Sequence, residues 1–262
     1  VSDTTSGWQP VGEGPRVLVT GGARRLGAAM VEGLAADGAR VALHCHRSDR
    51  EAGTVVDRVA NAGGTPPVVL VADLTDVGAA SALPDRAAEA LGGLDVVVNS
   101  AAVLRRQPLG TVTAEAWDAV VNLNLRACFF VAQAAAHHLQ VSHGCLINVS
   151  DIAAFDPWPG YIPHCVSKAG VEMLTRALAA ALAPEVRVNA IAPGAVLVPD
   201  AWSEERRARR AAQVPLGRLG NPEDVVRAVR YLMEATYTTG TTLIVDGGQA
   251  NRPRDALGDE TG

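Results

Sequence analysis

Arg16-Val17-Leu18-Val19-Thr20-Gly21-Gly22-Ala23-Arg24-Arg25-Leu26-Gly27 is the stretch that decides the fold. Its apolar run stops at a glycine pair, as a strand buried on both faces of a parallel sheet does. Helical spacing follows over about 24–37, with Leu26, Met30 and Leu34 on one stripe. A glycine turn between a strand and a helix lets the backbone approach a pyrophosphate. The helix N-terminus then offers free N–H groups and the positive end of a dipole. Arg24 and Arg25 add cationic side chains.

The same rhythm repeats down the chain. Strands are expected at 41–44, 67–71, 94–98, 145–149, 186–191 and 242–245. Helices are expected at about 50–62, 77–91, 114–139, 163–183 and 222–235. Strands alternating with helices imply right-handed βαβ units. The expected fold is therefore α/β: one doubly wound Rossmann-type domain, with a mainly parallel sheet of about seven strands and helices on both faces. Residues 1–15 read as a polar N-terminal arm, 16–249 as the domain, and 250–262 as a polar tail. The segment 195–220, Arg/Glu-rich between Pro199 and Pro215, breaks the rhythm. It reads either as a helical insertion over the strand ends, where such folds bind ligands, or as an ordinary solvated helix.

Composition excludes several function classes. The chain has 262 residues, 48% hydrophobic and 19% charged, with a net charge of -5. That is enough chain for a substantial core and argues against wholesale disorder. A net acidic chain is a poor general binder of nucleic acid or anionic membrane. No apolar run approaches the roughly 18–20 residues of a membrane span, and the N-terminus lacks the pattern of a signal peptide. A cytoplasmic protein acting on a small molecule is expected. Cys45, Cys128, Cys145 and Cys165 form no C-x-x-C pair and read as thiols in a reducing compartment. No metal site is assigned. Of the 23 Lys+Arg residues only Lys168 is lysine. Either chance left it there, or it stands where arginine's planar fork cannot replace a compact ammonium.

The tip of the second strand reads His44-Cys45-His46-Arg47-Ser48. In dinucleotide folds an acid here holds the ribose 2′-OH, whereas arginine accommodates a 2′-phosphate. No acid is present, so His46, Arg47 and Ser48 point to NADP(H) rather than NAD(H). Asp73, after the third strand, either accepts a hydrogen bond from adenine or simply forms a turn.

These motifs together resemble the short-chain dehydrogenase/reductase superfamily over residues 16–248. They are the glycine turn with Gly21, Arg24, Arg25 and Leu26, then Asp73-Leu74, Asn99-Ser100-Ala101, Asn124, Lys168, Pro193-Gly194 and Asp246-Gly247-Gly248. Within the superfamily the pattern is similar to that of pteridine reductases. Arg25 stands at the usual second glycine, His46-Arg47-Ser48 at the NADPH-selecting strand end, and Asp151 at the usual catalytic serine. The resemblance implies that the glycine turn, the strand-end residues and Pro193-Gly194 line an NADP(H) site. It also implies that Lys168 holds the cofactor ribose, that Asn124 supports a water chain to it, and that the protein is a homotetramer.

Two departures stand out. His164 occupies the place of the catalytic tyrosine, four residues before Lys168, and Leu104 the place of a stacking aromatic. His164 and Lys168 fall on one helix face, with Pro163 at the helix start. The expected activity is NADPH-dependent reduction of a carbonyl or imine, with His164 as proton donor held by Asp151 and Tyr161 as a further candidate donor. The alternatives are dehydration or cyclisation in the same pocket, or NADPH binding without turnover. Arg105 and Arg106 either favour an acidic or carrier-bound substrate or are solvated surface residues.

Overall fold

In a computed structural model, residues 14–198 and 201–251 are described. Pro199 and most of both terminal segments lie outside them. Seven strands are present: β1 Arg16–Val19, β2 Arg40–Cys45, β3 Val68–Val71, β4 Val96–Asn99, β5 Cys145–Val149, β6 Arg187–Pro193 and β7 Thr242–Val245. They form one sheet in the order β3-β2-β1-β4-β5-β6-β7. Every pairing is parallel. The helices are α1 Arg25–Ala36, α2 Asp49–Asn61, α3 Val77–Leu91, α4 Ala114–Val121, α5 Ala127–Ser142, α6 Ile162–Leu182, α7 Glu204–Ala212 and α8 Pro222–Glu234. The doubly wound architecture expected from the strand–helix rhythm is thus present, with a sheet that is wholly parallel.

The two faces of the sheet carry separate cores, because successive strand residues point to opposite sides. Val17, Val19, Val96, Val98, Cys145 and Ile147 pack against α1, α2 and α8. Leu18, Val97 and Leu146 pack against α3, α5 and α6. The helix expected at 114–139 contains a π turn, Asn122–Arg126, between α4 and α5. Taken together, Ala114–Ser142 is long and apolar enough to cross a bilayer by length and composition, although the sequence offered no such run. Here its buried stripe, Val131, Ala135 and Leu139, covers the sheet.

The carboxyl ends of β1 and β4 are tied by one hydroxyl. Thr20 Oγ1 accepts from the N–H of Ser100 at 2.9 Å and of Ala101 at 3.1 Å. This puts the glycine turn beside the turn that leaves β4, at the switch point where strand order reverses. Thr20→Val keeps the shape and removes the acceptor, leaving two N–H groups unpaired. It should cost about 1–3 kcal/mol in urea denaturation; unchanged stability would mean that water replaces the hydroxyl.

Candidate active site

The backbone of the glycine turn is in close contact with the β4 turn. A Cβ on Gly21, at φ +67°, would come within 2.9 Å of Ala101 Cα. One on Gly27 would meet the Gly21 carbonyl oxygen at 2.1 Å. Arg25, in the place of a further glycine, has a left-handed φ of 51°. Helix α1 has Arg24 as its N-cap, which makes no side-chain cap bond. Its first N–H groups therefore remain available to an anion.

These elements open into a cavity of about 810 Å³. The sequence-selected residues that line it are Gly21, Arg24, Arg25, Leu26, His46, Ser48, Ser100, Ala101, Asp151, Tyr161, His164, Lys168, Pro193 and Gly194. Arg47, Asp73, Leu74, Asn99 and Asn124 do not line it. Leu74 is buried in the core. Asn99 donates to Cys128 O and Asn148 Oδ1 within the interior. Asp73 accepts from both the N–H and the hydroxyl of Thr75, which hold its carboxyl below the usual range together with His46 and Arg47. It is a turn former that also faces the two basic residues at the β2 tip. Arg24 pairs with Glu51, and Arg25 donates to Leu197 O at 3.0 Å.

Sequence reading passed over several lining residues: Ser150, Trp158, Trp202, Arg210 and Gln249. Trp158 lies parallel to the His164 ring, with centroids 6.3 Å apart, and edge-on to Tyr161. An aromatic between Pro157 and Pro159 was a visible signal of a fixed wall. Trp202 and Arg210 belong to the 195–220 segment. Arg206 lies over the Trp202 ring at 4.2 Å.

At the floor, Lys168 Nζ donates to Val149 O at 2.6 Å. Burial pushes its pKa down, while Asp151, Cys128 and Glu172 pull it up. Asn124 sits on the π turn and clasps one residue with both amide atoms. Its Oδ1 accepts from Val103 N at 2.8 Å and its Nδ2 donates to Val103 O at 3.1 Å. That fixes the amide orientation; its second N–H goes to Ser167 Oγ at 3.1 Å, and His164 Nδ1 lies 3.4 Å from the same nitrogen. His164 Nε2 faces Asp151 Oδ2 at 3.3 Å, an acceptor, so the neutral imidazole carries its hydrogen there. Asp151 Oδ1 accepts from Ala153 N at 2.9 Å. The His164 side chain is 4% exposed and that of Asp151 23%. Both side chains line the cavity, and Asp151 is the more exposed of the two.

Cys45, Cys128 and Cys145 are enclosed, and Cys165 is half-buried. Burial pushes Cys128 up to about 12 and Cys145 up to about 11.

Residues 21–250 match the family described as enoyl-(acyl carrier protein) reductase. The chain belongs to the short-chain dehydrogenase/reductase superfamily. It is 37% identical over 250 residues to 3beta-hydroxysteroid dehydrogenase 1 of Eggerthella lenta, covering 92% of this chain and 95% of that one. It is 33% identical over 237 residues to the 3-oxoacyl-(acyl-carrier-protein) reductase FabG of Staphylococcus aureus, covering 88% and 96%. Among solved structures it is similar to FolM alternative dihydrofolate reductase 1 of Brucella suis in complex with NADP. That match has a TM-score of 0.84 and 34% identity, covering 92% of this chain and 98% of that one. The superfamily uses nicotinamide cofactors, and the glycine backbone, uncapped α1 and large cavity fit one. Ser150 Oγ is buried against the cavity without a partner, as a ligand-facing hydroxyl would be.

His44 supports this short-chain dehydrogenase/reductase site from below. Its Nδ1 accepts from Gly21 N at 3.1 Å, and its Nε2 lies 3.1 Å from Ala72 O. A neutral ring with its hydrogen on Nε2 satisfies both. Burial pushes its pKa down to about 4, with His46 and Arg86 acting the same way and the Ala72 bond and Asp73 opposing. A histidine whose pKa is lowered by folding stabilises fully above the unfolded value, about 6.5. That contribution, about 3 kcal/mol, should be lost as pH falls from 6.5 to 4. NMR titration of the ring with denaturation at both ends of the range checks it; a ring titrating near 6.5 would show that it is solvated.

Proposed function

We propose that this enzyme reduces a carbonyl or imine carbon of a small molecule with NADPH. The observation that carries the reading is the His164–Asp151 pair beside the buried Lys168, in a cavity floored by the glycine turn. A nicotinamide cofactor bound there supplies the hydride. The uncapped α1 N-terminus would take the pyrophosphate, and His46, Arg47 and Ser48 the 2′-phosphate. Lys168 would hold the nicotinamide ribose, and Asn124 the water chain behind it. The NADP bound to the FolM relative, and the absence of an acid at the β2 tip, support this cofactor over NAD(H).

The acid is the His164–Asp151 pair. Asp151, the more exposed of the two side chains at the cavity, would pass the proton to the substrate. His164 Nε2–H holds that carboxyl and stabilises the carboxylate left after proton transfer. Imidazole is shorter than phenol, so a substrate heteroatom placed for tyrosine lies beyond its reach; Asp151 spans the gap. Arg25, the β2 tip and Asp151 keep the reading within the pteridine-reductase-like pattern. Trp158 and Tyr161 supply the aromatic wall that the exposed Leu104 does not. Phe129 on α5 with Val166 and Met173 on α6 are exposed apolar side chains and support a cytoplasmic homotetramer built through these helices.

Arg47→Ala should weaken NADPH binding about 10–100-fold, the worth of a charge-assisted pair, and leave NADH unchanged. Equal affinity of wild type and variant for NADPH would remove the phosphate role. Asp151→Asn should lower kcat on the order of 10²-fold or more over a panel of ketones, imines, quinones, acyl thioesters and pterins. His164→Tyr is the companion variant. A silent wild type with an active tyrosine variant would replace reduction by binding or by non-redox chemistry.

A further inference from the structure

Helices α3 and α5 run side by side over one face of the sheet. Towards the C-terminus of α5, outside the cavity lining, Asp85 from α3 meets His137 and His138 from α5. Neighbouring residues on an α-helix point about 100° apart, so adjacent imidazoles do not normally converge. These two do: their ring centroids are 3.7 Å apart and tilted by 40°. Both Nε2 atoms face the same carboxylate oxygen, His138 at 2.7 Å and His137 at 3.8 Å from Asp85 Oδ1. The three candidate ligand atoms lie within 4.8 Å of one another.

The tautomer of His137 sharpens the point. Its Nδ1 lies 3.1 Å from Ala134 O and donates to it. With the ring neutral, Nε2 carries a lone pair, and that lone pair faces a carboxylate oxygen. Two acceptors facing each other are bridged by a cation, either a proton or a metal ion. A backbone carbonyl accepting the far ring N–H is also the usual outer-shell support of a metal-bound histidine.

We propose that Asp85, His137 and His138 bind a divalent transition cation of the Zn2+ class. Two imidazole nitrogens and one carboxylate oxygen are the donor set such an ion takes, with water completing the tetrahedron. Zn2+ bonds of about 2.0–2.2 Å put tetrahedral ligands roughly 3.3 Å apart. The separations from Asp85 Oδ1 bracket that value, so small side-chain movements close the site. His138 gives up its Nε2 hydrogen on binding, and the ion clips α3 to α5. Asp85 lies more than 50 residues before the two adjacent histidines, which is why no ligand spacing showed in the chain.

The test is Zn2+ titration of the full-length, chelator-treated protein, by calorimetry and by thermal melting. One equivalent should bind and raise the Tm, since a ligand that binds only the folded state stabilises it. Asp85→Asn and His137→Gln should each weaken binding at least as much as the roughly 10–100-fold that outer-shell changes cost. Both should keep the metal-free Tm and reductase activity. Binding only at millimolar Zn2+, or equal binding by wild type and both variants, would overturn the site. Should either single variant fold poorly, His138→Gln read by the same titration decides the matter.

Discussion

An ammonium group enclosed at the end of β5 organises everything around it. Lys168 is buried, and among the described residues its ammonium donates to Val149 O. A buried charge is tolerated only where other groups compensate it. Asp151 and Glu172 supply negative charge from either side. Glu172 in turn is held from β7 by the Thr242 hydroxyl. The junction of β5 with α6 is therefore an electrostatic unit, and the His164–Asp151 pair is part of it. A guanidinium would need a planar fork of acceptors that a single carbonyl cannot provide. This gives a physical reason why an otherwise lysine-free chain keeps one here.

With histidine at the place where tyrosine is usual, Asp151 becomes the more exposed member of the pair at the cavity. Tyrosine would place its hydroxyl at the cavity and leave the residue before it in the support role. An imidazole on the same backbone is short, and Asn124 draws one of its nitrogens inwards. The other then reaches only as far as Asp151. Trp158, parallel to the imidazole, limits the ring from the remaining side.

Fold class was legible because period and punctuation agree along the whole chain. Every strand expected from an apolar run has a counterpart, and the glycine turn marks the switch point. The glycine turn, Ser48, Asp151, His164 and Lys168 could be placed in one cavity because βαβ topology brings strand ends together. What stayed hidden depends on side-chain direction. Leu74 and Asn99 turn into the interior, while Trp202 and Arg210 come from a segment whose period assigns no location. His44 looked like one more residue of a buried strand, yet it braces the glycine turn. Periodicity shows which face a residue takes; it does not show which of two hydrogen-bonded groups lies in front.

The π turn between α4 and α5 bears on how this chain tolerates change. A π turn holds one residue more than the α-helix needs, so it behaves as an insertion retained within a continuous helix. Deleting any one of residues 122–126 would give an ordinary, locally more regular helix. It would also rotate all of α4 by about 100° relative to α5. Asn124 would leave its clasp on Val103, and the loop leading away from β4 would lose its anchor. Such a deletion would act on the site through the length of the helix, without touching a residue that lines the cavity.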